Sequence, residues 1–128
     1  MIVDTSALVA ILLDEPETVP FARLIAAASP CIMSAASYVE FGVLAASRAG
    51  YDALAVDAAL RRWKLEIAPV TAAQARLALD AFHRCGKGRH PAGLNFGDRF
   101  AYALAKERGE PLLFKGGDFA QTDIASAR

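Results

Sequence analysis

Four carboxylates stand where this chain changes from one kind of segment to another. Asp4 ends the apolar run Met1-Ile2-Val3, and Glu40 lies inside an apolar helical stretch. Asp98 opens a late helix in Asn95-Phe96-Gly97-Asp98, and Asp118 follows the strand-like run Leu112-Leu113-Phe114 after a Lys115-Gly116-Gly117 turn. Brought together by a fold, four such groups repel one another, and the cluster is tolerable only in proton-bound or cation-bound states. A hard cation such as Mg²⁺ takes oxygen ligands and keeps several of its waters. Held by several carboxylates, it points to phosphoryl chemistry.

Each acid also has a plainer reading. Asp4-Thr5-Ser6 places a carboxylate and two hydroxyls at a helix start, where any of the three could serve only as a cap. With Asn95 as N-cap, Asp98 is the third helical residue, where an acid complements the helix dipole and folds back on the cap. Asp118 fits a turn residue after Gly116-Gly117. Glu40 is the hardest to explain away. Its helical neighbours are Ala36, Ser37, Val43 and Leu44, none of which can neutralise it, and an unbound carboxylate on an apolar face is costly unless it reaches water at the edge.

The elements that must position these residues alternate short apolar runs with longer helical ones. Met1–Asp4 reads as a strand and Thr5–Leu13 as a helix stopping before Pro16. Thr18 is the expected N-cap of a second helix to Ala28, with Pro20 in its first turn. Cys31-Ile32-Met33 is a strand, and Ser34 caps a helix through Ala49 that Gly50 closes. Asp52 opens a helix to about Lys64, and Leu65–Val70 is a strand ending at Pro69. Thr71-Ala72-Ala73-Gln74 is a capping box for a helix to Cys85, followed by the irregular loop Gly86 to Gly93. The last helix runs from Asn95 to Arg108 with Gly109 as its stop, then a strand from Pro111 to Phe114 and a short tail strand near Asp123-Ile124. Strands separated by helices imply parallel crossovers, hence an α/β layered sheet. In such sheets ligands bind beyond the carboxyl ends of the strands, where Asp4 and Asp118 fall.

At 128 residues the chain makes one domain, 1–128, and its 55% hydrophobic and 22% charged residues exclude a disordered polymer. No apolar stretch is long enough to span a bilayer, the N-terminus carries no basic leader, and Cys31 and Cys85 lack metal-ligand spacing. A cytoplasmic protein away from membranes is expected. Net charge is zero but unevenly spread: residues 1–60 hold two basic and seven acidic side chains, residues 61–128 twelve and seven. Such asymmetry is compatible with a polyanion partner and equally with two ordinary surfaces. Arg84, Lys87 and Arg89, in and beside the Gly86–Gly93 loop, are candidates to hold phosphates; His90 reads as a loop residue, and Trp63 and most phenylalanines as core.

The chain resembles a known family in four co-linear blocks: Met-Ile-Val-Asp-Thr-Ser at the start, Ser37-Tyr38-Val39-Glu40-Phe41, Leu94-Asn95-Phe96-Gly97-Asp98 with Phe100-Ala101-Tyr102-Ala103-Leu104-Ala105, and Leu112-Leu113-Phe114-Lys115-Gly116-Gly117-Asp118-Phe119 with Thr122-Asp123. These look like PIN-domain nucleases, and most like VapC-type toxins of type II toxin–antitoxin pairs. The resemblance implies a three-layer α/β/α sandwich with a central parallel sheet. It further implies a Mg²⁺-dependent endoribonuclease (Mn²⁺ as substitute) that acts on RNA, is silenced by a cognate antitoxin and forms a homodimer. Carried over position by position, Asp4, Glu40, Asp98 and Asp118 match the acidic quartet, Asp4 and Asp98 the principal metal ligands, and Thr5 or Ser6 a supporting hydroxyl. Arg99, after Asp98, and Gly117, before Asp118, depart from the usual pattern. Arg99 faces away from Asp98 on a helix and is a further candidate for RNA or antitoxin.

Rival readings fail on particular residues. A phospho-receiver domain needs paired acids after its first strand, where Asp4 stands alone, and an acid after its third, where Pro69-Val70-Thr71 stands. An Asp-x-Asp phosphatase needs a second acid where Ser6 is found. A catalytically dead binding module would have no reason to keep four repelling carboxylates.

Overall fold

The computed structural model describes residues 1–88 and 90–128. In chain order the elements are β1 (Ile2–Val3), α1 (Thr5–Leu12), α2 (Thr18–Ala27), β2 (Cys31–Ser34), α3 (Ala35–Ala49), α4 (Ala53–Arg62), β3 (Leu65–Ala68), α5 (Ala72–Cys85), α6 (Asp98–Arg108) and β4 (Leu112–Leu113). The four strands form one parallel sheet in the order β3-β2-β1-β4.

Side-chain alternation along the strands builds the layers. Val3, Cys31, Met33, Leu65 and Leu113 face a core made with α1, α2, α3 and α4, through Leu8, Phe21, Ile25, Phe41, Val56 and Leu60. Ile2, Ile32, Ala68 and Leu112 face the opposite core, made with α5 and α6 through Ala81, Ala101, Tyr102, Leu104 and Ala105. The result is the expected α/β/α sandwich. Its strands are buried on both faces except at the β3 edge, where Glu66 and Ile67 are exposed.

The chain winds outward from β1 to β2 to β3, then returns to the other side of β1 as β4. That reversal opens a crevice at the carboxyl ends of β1 and β4. Ile2 pairs with Ile32 on one side and Leu112 on the other, and the Asp4 amide donates to the Leu113 carbonyl at 2.9 Å. Asp4 is thereby tied to the centre of the sheet.

Most helix ends follow from their residues. Ser34 accepts from the Ala36 amide at 3.3 Å, Asp52 from Ala55 at 2.8 Å, and Thr71 from Gln74 at 3.1 Å. Gly50, at φ 69°, closes α3 in the left-handed region that glycine enters without strain. Three expectations need correction. Thr18 is not an N-cap: its hydroxyl donates to the Ala10 carbonyl at 2.9 Å, satisfying an end group of α1. Gln74 does not complete the capping box; its amide reaches Glu107 on α6 at 2.6 Å. The tail meets the sheet at Ser126, beside Leu112, and Asp123 turns to α6 instead. Phe96 is the exception to the expectation that most phenylalanines are core: it is 72% exposed, on the turn leading into α6.

Candidate active site

Asp4 is both the cap of α1 and a group with capacity left over. Its Oδ2 accepts from the Ser6 amide at 2.9 Å and the Ser6 hydroxyl at 2.5 Å. Its Oδ1 is buried with no hydrogen-bond partner. Ser6 Oγ in turn accepts from the Lys115 amide at 3.0 Å, so one hydroxyl joins Asp4 to the segment following β4. Thr5 plays a different part. Its hydroxyl donates to the Ser37 carbonyl at 3.3 Å and fastens α1 to α3. Of the two candidate hydroxyls, Ser6 is the one that supports the carboxylate.

Asp98 starts α6 in a reciprocal cap: its amide donates to Asn95 Oδ1 at 2.9 Å, while its Oδ2 accepts from the Asn95 amide at 2.7 Å. Glu40, on α3, lies against the same turn. A Cβ on Gly97 would sit 2.8 Å from Glu40 Cδ and Oε2, so glycine leaves the room that the carboxylate fills. A surface cavity of about 420 Å³ begins here, lined by Glu40, Asn95, Phe96, Gly97 and Phe100 together with Ala36 and Val39 of α3. Asp118 is exposed on the turn after β4.

Asp98 feels the other three acids. Burial pushes the Asp98 carboxyl up to about 7; the Asn95 amide opposes this, and the charges of Asp4, Asp118 and Glu40 add to it. Burial likewise raises Asp4, with the Glu40 charge adding, although hydrogen bonds from Ser6 pull it down. Asp4 stands at the carboxyl end of β1, and its charge and those of Glu40 and Asp118 reach Asp98.

A divalent cation fits the donor set: a buried carboxylate oxygen without a partner lies among acids whose charges reach one another. Among the described residues no three His, Cys, Asp or Glu side chains close into a cage for an ion.

The basic candidates fare unequally. Arg84 is engaged, pairing with Asp80 at 2.9 Å and donating to the Tyr102 hydroxyl at 3.0 Å. Lys87 is exposed in its loop, and Arg89 lies outside the described residues. Arg99 donates to the Asn95 carbonyl at 2.9 Å and stands over the rings of Phe82 and Phe96, 4.9 and 5.7 Å from their centroids. It faces away from the acids, as its helical position requires. His90 accepts from the Ala92 amide at 3.1 Å and serves its own loop. Two groups carry no obvious mark in the sequence: Gly97, whose missing side chain seats Glu40, and Tyr102, whose spacing of four from Asp98 is the available signal.

Comparison with known proteins places the chain in a family. The PIN domain model matches residues 1–125. VapC ribonuclease Mb0640 of Mycobacterium bovis is 47% identical over 127 residues, covering 98% of this chain and 97% of its own. Ribonuclease VapC of Mycolicibacterium smegmatis is 48% identical, with 98% of each chain covered. Among solved structures, Mycobacterium tuberculosis VapC20, a sarcin–ricin loop cleaving toxin, superposes with a TM-score of 0.78 at 24% identity over 99% of this chain and 98% of its own. A toxin–antitoxin complex from Klebsiella pneumoniae gives a TM-score of 0.73 at 15% identity, covering 99% and 97%. These two show the fold. The family match and the near full-length identity show more: this chain belongs to the PIN-domain family, among the VapC ribonucleases.

Proposed function

We propose that the chain is a Mg²⁺-dependent endoribonuclease, the toxin of a type II toxin–antitoxin pair, acting in the cytoplasm. The observation that carries this reading is the buried, unpartnered Oδ1 of Asp4 at the carboxyl end of the parallel sheet. Asp4 and Asp98 would hold the ion, with Glu40 and Asp118 as further ligands or as acceptors for its waters. An ion held there would supply a water of lowered pKa and would offset charge on the phosphoryl oxygens of the scissile phosphodiester.

The chain's own residues do the rest. Ser6 fixes the orientation of Asp4, whose Oδ1 is left free for the ion. The reciprocal cap with Asn95 fixes Asp98 at the head of α6. Glu40, resting on Gly97, is placed to accept a hydrogen bond from a water entering the cavity. Lys87 offers a charge to the RNA backbone outside the site, giving affinity without sequence choice.

The partners follow from the same reading. A homodimer is favoured by apolar side chains left exposed on the surface, Val39 and Phe96 beside Glu40 and Val43 and Leu79 elsewhere on α3 and α5. The antitoxin is the further expected partner, by kinship with the VapC proteins. No helix of the described residues is long and apolar enough to cross a membrane.

Cleavage-site mapping on total RNA with and without Mg²⁺ tests the activity. Asp4→Ala and Asp98→Ala should each abolish Mg²⁺-dependent cleavage while leaving the far-UV circular dichroism nearly unchanged. Retained cleavage in either variant would remove that residue from the metal site.

A further inference from the structure

The fourth acid is carried by the loop after β4, which Lys115 ties to Glu15 and Glu17, Arg128 ties at the Gly116 carbonyl and Asp123 ties to α6. Asp118 is exposed and follows Gly116, at φ 91°, and Gly117. Its loop is held upstream by the Lys115 amide on Ser6 Oγ. In the middle it is held by Phe119, buried with its ring centroid 5.1 Å from that of Phe114.

Downstream, Asp123 uses both oxygens on one helix. Its Oδ1 accepts from the Tyr102 hydroxyl at 2.8 Å and its Oδ2 from Lys106 Nζ at 2.5 Å. Tyr102 is fully buried and also accepts from Arg84 at 3.0 Å, and Arg84 pairs with Asp80, so α5, α6 and the loop are clasped together. Burial, with Asp123 second, raises the Tyr102 hydroxyl to about 12, and the Lys106 and Tyr102 hydrogen bonds lower Asp123. The phenol therefore stays a donor and the carboxylate an acceptor across the ordinary pH range.

Asp98, Tyr102 and Lys106 are spaced by four, which places them on one stripe of α6. The loop after β4 crosses that stripe. Asp123 engages its two lower members, and Asp118 lies within the electrostatic reach of its first.

We infer that Asp123 is a positioning residue for the site: by clasping Tyr102 and Lys106 it sets where the loop lies on α6 and so holds Asp118 beside Asp98. The inference rests on the metal-site reading above and deepens it. Asp123 touches neither ion nor substrate; it acts through Asp118.

The test is Mn²⁺ binding to the purified full chain without RNA, by electron paramagnetic resonance of the free ion. The proteins are the wild type, Asp118→Ala, Asp123→Asn, Tyr102→Phe and the double variant Asp118→Ala/Asp123→Asn. Asp118→Ala and Asp123→Asn should each weaken binding on the order of tenfold, the usual effect of groups that orient metal ligands. Tyr102→Phe, which keeps the core ring and removes only the hydroxyl, should weaken it in the same direction. The double variant should bind no more weakly than Asp118→Ala alone. A merely structural role for Asp123 would make the two losses multiply, and that result overturns the inference. Wild-type affinity in Asp123→Asn overturns it too. A wild type that binds neither Mn²⁺ nor Mg²⁺ would instead remove the metal-site reading, and this inference with it.

Discussion

The elevated Asp98 carboxyl gives the candidate site a signature that needs no substrate. Its folded value of about 7 lies above the ordinary 3.8, chiefly through burial. The folded state thus holds a proton that the unfolded chain has already lost between those two values. A group raised in this way contributes stability in full below its unfolded value, and the contribution is lost as pH rises through the folded one. The rise from 3.8 to about 7 sets a ceiling of about 4 kcal/mol on that contribution. Water at the open mouth of the crevice and salt screening reduce this to an expected loss of about 2 kcal/mol. For a domain of this size that is roughly 6–10 °C in Tm.

The assay is thermal unfolding in a chelator from about pH 5 to about pH 8, for the wild type and Asp98→Asn. Asparagine keeps an oxygen for the Asn95 amide and removes the charge, so the pH slope should flatten. A residual slope of the same sign should remain from Asp4, which burial also raises. Asp123 and Glu17, both lowered by hydrogen-bonded lysines, lose their contributions only below their ordinary values of 3.8 and 4.5 and stay outside the window. Adding Mg²⁺ at about pH 8 should raise the wild-type Tm and leave Asp98→Asn unmoved. Parallel pH curves for the two proteins would refute the reasoning, because the ionised carboxylate would then cost nothing to fold.

Three other substitutions probe how the acids are held. Ser6→Ala removes the hydroxyl shared by Asp4 and the Lys115 amide; it should cost about 1–2 kcal/mol in urea unfolding and cut cleavage by about 10–100-fold. Gly97→Ala suits the helical backbone there, φ −65° and ψ −46°, but its methyl takes the space of the Glu40 carboxylate. Unfolding should therefore change by less than about 1 kcal/mol while cleavage falls on the order of tenfold. Lys87→Glu should weaken RNA binding and flatten its dependence on salt, with the metal affinity unchanged.

Features of the fold are legible in the sequence where their signal is local. Strands of two to four residues stand out because their apolar runs are bounded by caps and turns, as Cys31–Ser34 is by Pro30 and the start of α3. Helix ends at Ser34, Gly50, Asp52 and Gly109 are legible for the same reason: one side chain, or its absence, decides each. Thr18, Gln74 and Arg84 defeat a local reading because each finds its partner elsewhere, on Ala10, Glu107 and Tyr102. Nothing in the sequence near Thr18 or Gln74 announces those contacts. Phe96 and Phe100 share a sequence block and a T-shaped ring contact at 5.0 Å, yet the first is largely exposed. Only the path of the chain into α6 separates them.

Capping and metal binding, the two readings that the sequence offers for Asp4 and Asp98, do not compete. A capping carboxylate spends one oxygen on the helix and has a second to offer. Asp4 shows this directly, with Oδ2 on Ser6 and Oδ1 buried and unpartnered. Capping also places a carboxylate at a helix N-terminus, where the helix dipole favours negative charge. At the switch point of a parallel sheet the helix that follows β1 and the one that precedes β4 both start close to the crevice. The need to start α1 and α6 with acids therefore brings Asp4 and Asp98 together, and repulsion is the consequence of good capping rather than a separate cost. Glu40 and Asp118 have no such local employment, one resting on a glycine and the other on a loop. Their positions depend on Gly97 and Asp123, so changes at those two residues should trouble metal binding well before they trouble the fold.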